Sequence, residues 1–226
     1  MTSRFSVFDA RIATHYEAWY TTPAGERADA LERAALRRLL LRFPDARTVL
    51  EVGAGTGHFT RWFRAQGRAS VGLDLSRPML SAAKDLNGVA LVQADATHLP
   101  FAPDTFDVVA LITTLEFLPD PESALAAALR VARQGILLGV LNRCSPLGLT
   151  RRLQALLRPS IYSQGRFYSV GELERLVRSV VGASGQLHWE TTLFPRWWPT
   201  PALGRRWGGF VAMAWWIPGT NGERSV

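Results

Sequence analysis

The sequence predicts an α/β fold built on a mainly parallel β-sheet, and three observations predict it. Apolar runs of four to eight residues alternate with helical patterns of ten to fifteen, the rhythm of βαβ units. The runs are nearly continuous in apolar residues, as strands covered on both faces require. The first of them, "TVLEV", leads straight into "GAGTG", where Gly53, Gly55 and Gly57 fall at every second position.

Each element has its own signal. Ala30, Leu31, Ala34, Ala35, Leu39 and Leu41 recur with helical spacing and predict a helix over 26–42, stopped by Pro44 and Asp45. Residues 48–52 read as the first strand. "HFTRWFRAQG" then reads as a helix closed by Gly67. Residues 70–74 form the second strand, and Pro78 opens a helix that Asn87–Gly88 closes. The third strand is expected at 89–96 and the fourth, almost wholly apolar, at 106–115. A helix over 121–135, with proline first and glycine last, leads to a fifth strand at 136–141. Ser169 and Glu172 form a capping box for a helix over 169–180. Strands at 186–194 and 209–217 follow with no helix between them, so they are expected to be antiparallel neighbours at one edge of the sheet.

Length and composition bound the rest. A chain of 226 residues, 47% hydrophobic and 20% charged, fits one globular domain. Its expected parts are an N-terminal helical segment (1–44), a core (45–141), an insertion (142–168), and a C-terminal helix with antiparallel strands (169–226). Cys144 is the only cysteine, which excludes an internal disulfide and a cysteine-based zinc site, and no metal is expected. No apolar run approaches the roughly 18 residues of a membrane span. The first residues also lack the apolar core of a signal peptide. Both point to the cytoplasm. The net charge of +7 rests almost wholly on arginine, Lys84 being the only lysine. It reads either as a composition bias or as a surface for anionic partners.

One glycine would serve a tight strand-to-helix turn. Three serve a ligand: they bring backbone N–H groups and the positive end of a helix close to it with no Cβ in the way. A dinucleotide loop wants glycine at the first, third and sixth positions. Here the sixth position from Gly53 is His58, so that fingerprint is broken. Asp74 ends the second strand, 17 residues after Gly57, placed to accept both hydroxyls of a ribose. Asp95 ends the third, placed to accept a bond from an exocyclic amine such as adenine's. Together they outline a nucleoside pocket at the carboxyl edge of the sheet.

At this point the sequence resembles a known family. "EVGAGTG", "GLDLSRPML", "QADATHLPFAPDTFDVV" and "LPDPESALAAALRVARQG" are similar, in order, to the motifs of class I S-adenosylmethionine-dependent methyltransferases. The branch they most resemble is the small-molecule one, methyltransferase type 11, which includes the ubiquinone/menaquinone-biosynthesis enzymes. The match covers 48–141, with a weaker likeness at 8–20. The resemblance implies a Rossmann-like sheet of seven strands in the order 3-2-1-4-5-7-6, strand 7 antiparallel, with helices on both faces. It implies S-adenosyl-L-methionine as cofactor. Glu51 and the loop Gly53, Ala54, Gly55 and Gly57 would hold its methionine part, and Asp74 its ribose. Leu75 and Met79 would pack on the adenine, with Asp95 and Ala96 at its edge. Thr113 would approach the sulfonium, and Tyr16 would close over the pocket.

A sulfonium is already an activated methyl donor, so a general base is optional. His15, beside Tyr16, and Glu116, after the fourth strand, are the candidates. His58, His98 and His188 read as surface or structural residues. "TTLEFLPD" stands where methylases of nucleic-acid bases carry an (Asn/Asp/Ser)-Pro-Pro-aromatic signature, and one cysteine cannot serve arsenite methylation. No sequence-specific nucleic-acid partner is expected. A small-molecule acceptor remains.

Its expected character is hydrophobic, with an acidic end. Leu147, Leu149, Leu153, Leu156 and Leu157 form a stripe bordered by Arg151, Arg152 and Arg158, and Trp197, Trp198 and Trp207 lie among arginines in 195–209. Both stretches read either as local packing or as a lid or membrane-surface patch. Two rivals stand: an NAD(P)-dependent oxidoreductase, and a cofactor-binding scaffold without catalysis.

Overall fold

The computed structural model describes residues 8–84, 86, 88–149, 165–195 and 206–217. Among them, seven strands form one sheet: β1 (Thr48–Val52), β2 (Ala69–Asp74), β3 (Ala90–Gln93), β4 (Phe106–Ile112), β5 (Ala132–Leu141), β6 (Gln186–Thr192) and β7 (Phe210–Trp216). Their order is β3-β2-β1-β4-β5-β7-β6. The first five run parallel, and β7 is antiparallel to both β5 and β6. The order, the antiparallel strand and the edge pair are as the sequence led us to expect.

The helices are α1 (Ala10–Tyr20), α2 (Pro23–Leu40), α3 (His58–Ala65), α4 (Arg77–Ser81), α5 (Pro121–Val131) and α6 (Val170–Val181). β4 is buried at all of its seven positions, which is why its sequence is apolar throughout rather than alternating. Val109 and Leu111 turn to one face, against Leu125 of α5 and Leu173 of α6. Val108 and Ala110 turn to the other, against Leu36 of α2 and Phe63 of α3. The expected capping box at Ser169 and Glu172 is present.

Several boundaries differ from expectation. The helix expected over 78–88 stops at Ser81, and Met79 is the one buried residue of the five it has. β4 ends at Ile112; Thr113 takes a left-handed φ of +49° and the chain enters a 3₁₀ turn at Leu115–Phe117. β5 starts at Ala132, so Gly135 lies inside the strand rather than closing α5. A Cβ at Gly135 would stand 2.1 Å from the Trp215 carbonyl of β7, and glycine lets the two strands meet. Of the leucine stripe at 147–157, only Leu147 and Leu149 fall within the described residues, and Trp197 and Trp198 lie outside them.

Candidate functional site

β1, β2, β3 and β4 end at the same edge of the sheet, and the turns beyond them enclose a cavity of about 520 Å³. The glycine loop forms its floor. Gly53, Gly55 and Gly57 have φ of +75°, +56° and +78°, a region that side chains avoid. A Cβ on Gly53 would sit 2.3 Å from Thr114, and one on Gly55 would sit 3.0 Å from the Met79 methyl. The amides of Gly53 and Ala54 both donate to the Leu73 carbonyl, at 2.7 and 2.9 Å, which folds the loop over the end of β2.

Asp74 is the hub. Its Oδ2 accepts the Gly55 amide at 2.7 Å and its Oδ1 accepts the Ser76 amide at 2.7 Å. Burial pushes its carboxyl above the ordinary value, against the pull of these amides. One wall of the cavity is therefore Gly53, Gly55, Asp74, Leu75, Met79, Asp95 and Ala96. The amide and hydroxyl of Thr97 both donate to Asp95 at 2.8 Å, and the amide bond is what chiefly holds that carboxyl below its usual range.

The facing wall comes from farther apart in the chain. It comprises Phe8 and Tyr16 from the N-terminal segment, Thr113 and Thr114 after β4, and Phe117 and Leu118 beyond. The rings of Phe8 and Phe117 meet edge to face with centroids 5.0 Å apart. The left-handed Thr113 is held by its amide on the Gly139 carbonyl at 2.7 Å.

The N-terminal segment is tied to the glycine loop, α3 and the turn after β2 through Phe8, Glu17 and Tyr20. The Ser76 hydroxyl donates to the Phe8 carbonyl at 2.8 Å. The Glu17 carboxylate accepts the Thr56 hydroxyl and the Arg61 guanidinium, the latter at 2.9 Å. Burial pushes Glu17 up, but those two bonds outweigh it and hold the carboxyl below its ordinary value. Tyr20 stacks on His58 with centroids 3.6 Å apart.

Several expectations need correction. Glu51 is only 2% exposed and does not line the cavity; it takes the Thr60 hydroxyl behind the loop, and burial pushes its carboxyl up to about 8. Glu116 is also 2% exposed and off the cavity wall. Its Oε1 accepts the Leu141 amide at 2.7 Å, its Oε2 has no partner among the described residues, and burial raises it to about 7. His15 is exposed, binds the Arg11 carbonyl of its own helix at 2.9 Å, and does not line the cavity. Neither general-base candidate is thus brought to the site. Ala54 and Gly57 shape the loop without lining it. His58 is not a surface residue: its side chain is 11% exposed, 2.7 Å from Asp29.

Sequence reasoning missed Phe8, Thr114, Phe117 and Leu118 on the facing wall. "FLPD" after the fourth strand carried a signal, two adjacent apolar residues where the chain leaves the carboxyl edge of the sheet. His98, which we expected in a solvated loop, stands exposed at the rim of the cavity.

Comparison with known proteins agrees with this geometry. Residues 50–139 match the family model described as a methyltransferase domain. An uncharacterized Mycobacterium bovis protein is 35% identical over 169 residues, 74% of this chain and 57% of its own. A demethylmenaquinone methyltransferase of Corynebacterium kroppenstedtii is 34% identical over 62% of this chain and 60% of its own. The chain thus spans less than two thirds of the length of these relatives. A crystal structure from Thermotoga maritima, of an S-adenosylmethionine-dependent methyltransferase named as a possible histamine N-methyltransferase, superposes with a TM-score of 0.74 at 28% identity. That match covers 93% of this chain and 97% of that one.

Proposed function

We infer that this chain is an S-adenosylmethionine-dependent methyltransferase that transfers a methyl group from S-adenosyl-L-methionine to a small-molecule acceptor with an apolar body. The observation that carries the reading is the pairing of two unlike walls around one cavity: a glycine-and-carboxylate cradle faces Phe8, Tyr16, Phe117 and Leu118.

The residues present fit the cofactor. The cradle is space that a Cβ at Gly53 or Gly55 would fill. The Asp74 carboxylate has about four lone-pair positions, and the two amides use two of them. The others can take the ribose hydroxyls while the same carboxylate keeps the loop in place. Leu75 and Met79 offer an apolar seat for the adenine, with Asp95 and Ala96 at its edge. Glu51 joins β1 to α3 through the Thr60 hydroxyl instead of reaching the cofactor. Thr113 and Tyr16 bound the side where the two walls meet.

When bound, the cofactor supplies a sulfonium-activated methyl group for in-line displacement. The chain aligns the acceptor and keeps water out, and alignment of that kind can contribute roughly 7–11 kcal/mol. Phe8, Phe117 and Leu118 present apolar surface for the acceptor body, and the relative that acts on demethylmenaquinone supports the same choice. No arginine or lysine is among the described cavity residues. Arg151, Arg152 and Arg158, the residues proposed to pair with an acidic end of the acceptor, lie outside the described residues. A nucleophile that is already ionised, or that loses its proton to solvent, needs no base from the chain.

Incubation with methyl-labelled cofactor and fractionated cell extract tests the reading. Label should enter an organic-extractable small molecule as S-adenosylhomocysteine accumulates. Label found only in polar products would remove the apolar acceptor. Tight cofactor binding without any transfer would favour the scaffold.

A further inference from the structure

We propose that Glu17 is a positioning residue that couples the glycine loop to the wall of the acceptor side, so that occupancy of the loop and ordering of α1 rise and fall together. The proposal rests on the methyltransferase reading above.

Thr56 stands between Gly55 and Gly57 and is wholly buried. Two elements grip it. From α1, the Glu17 carboxylate accepts its hydroxyl. From α3, Arg61 donates to its carbonyl at 2.7 Å, and the same guanidinium pairs with Glu17 at 2.9 Å. Arg61 also reaches the Lys84 carbonyl, at 3.2 Å, beyond α4. The three groups close a ring, Glu17–Thr56–Arg61, around the one loop residue whose side chain can transmit its position.

Glu17 also has the neighbour that matters. Tyr16 lines the cavity, and Phe8, ahead of the same helix, packs on Phe117 in the same wall. A loop that shifts by a fraction of an ångström moves the Thr56 hydroxyl, and Glu17 carries that shift into α1. The Ser76–Phe8 bond and the Tyr20–His58 stack hold the two ends of the segment, and the Glu17 contact acts on the loop itself. With its side chain 35% exposed, Glu17 forms a pair weak enough to open and strong enough to bias the helix.

The test uses S-adenosylhomocysteine as probe, with calorimetry for affinity and hydrogen exchange of residues 8–20 for the helix. In the unmodified protein the probe should slow exchange across α1. Glu17→Gln keeps an acceptor for Thr56 but loses the charge that holds Arg61; it should bind about tenfold more weakly. Its α1 should exchange at the same rate with and without the probe. Glu17→Asp should fall between, and Thr56→Val should match Glu17→Gln. The double variant should lose no more affinity than its weaker parent, since both remove one connection. Arg38→Ala, which breaks the Arg38–Glu190 pair between α2 and β6, should change neither readout.

A Glu17→Gln protein with unchanged affinity and intact probe-dependent protection overturns the proposal, as do additive losses in the double variant. If the unmodified protein does not bind the probe, the methyltransferase reading falls and takes this proposal with it. A probe that binds the unmodified protein while Glu17→Gln makes no difference sinks this inference alone.

Discussion

The two walls of the cavity are made in different ways. The glycine-loop wall is built largely on backbone: three left-handed glycines, two amides on one carbonyl, and a strand-end carboxylate that collects two more amides. Its parts lie within 53–96, and each follows from a short stretch of sequence. The facing wall is side chain. Phe8, Tyr16, Phe117 and Leu118 come from an N-terminal segment and a turn beyond β4, and they meet only because the sheet order brings β1 and β4 side by side. A backbone wall tolerates little and recognises one ligand. A side-chain wall can be remodelled without disturbing the fold, which suits the half of the cavity proposed to choose an acceptor.

That contrast can be broken experimentally. The largest effect should come from Gly53→Val, which puts a branched side chain at a φ of +75° and a Cβ 2.3 Å from Thr114. Calorimetry should show no binding of S-adenosylhomocysteine, and the melting temperature should fall. Normal binding would mean that the loop is not the cradle. Asp74→Ala comes next. It removes the proposed ribose acceptor and leaves the Gly55 and Ser76 amides without theirs, at a cost of about 1.5–3 kcal/mol, roughly ten- to a hundredfold in affinity. An unchanged dissociation constant in a folded protein would take Asp74 out of the site.

Phe117→Ala addresses the other wall. It should lower kcat/KM for the acceptor by about tenfold, as loss of an apolar contact does, while leaving cofactor affinity nearly unchanged. If cofactor affinity fell as far as turnover, the two walls would not be separable.

A smaller effect concerns pH. Burial raises Glu51 in the folded chain to about 8 from an ordinary 4.5, so the folded state holds its proton more tightly than the unfolded chain does. That contribution is complete below about 4.5 and is lost as pH rises through about 8. Melting temperature should therefore decline from pH 5 to pH 8, and Glu51→Gln should decline less. An equal decline in both would place the titration elsewhere, with Glu116 and its value of about 7 the next candidate. The smallest effect belongs to His15→Ala. An exposed side chain bonded to its own helix should change turnover by less than about twofold. A loss comparable with that of Phe117→Ala would return His15 to the chemistry.

The alternation of strands and helices, the glycine loop and the strand-end position of Asp74 were all legible, because each depends on residues close in sequence: period, capping, and the φ that only glycine takes readily. The edge pair β6–β7 was legible too, since two strands without a helix between them have few places to go. The lengths of α4 and β5 were not. A proline-to-glycine span looks like a helix until packing decides how much of it finds a partner, and Gly135 reads as a helix cap until β7 passes within 2.1 Å of where its Cβ would be. The candidate site divides along the same line. By itself the sequence determined that a three-glycine loop follows β1 and that Asp74 ends β2 beside it. Only the tertiary structure decided that Glu51 and Glu116 are buried away from the cavity, that His15 turns back on its helix, and that Phe8 meets Phe117. Local pattern says which face of an element is apolar; which distant side chain comes to lie against it is set by strand order and by the volume left to fill.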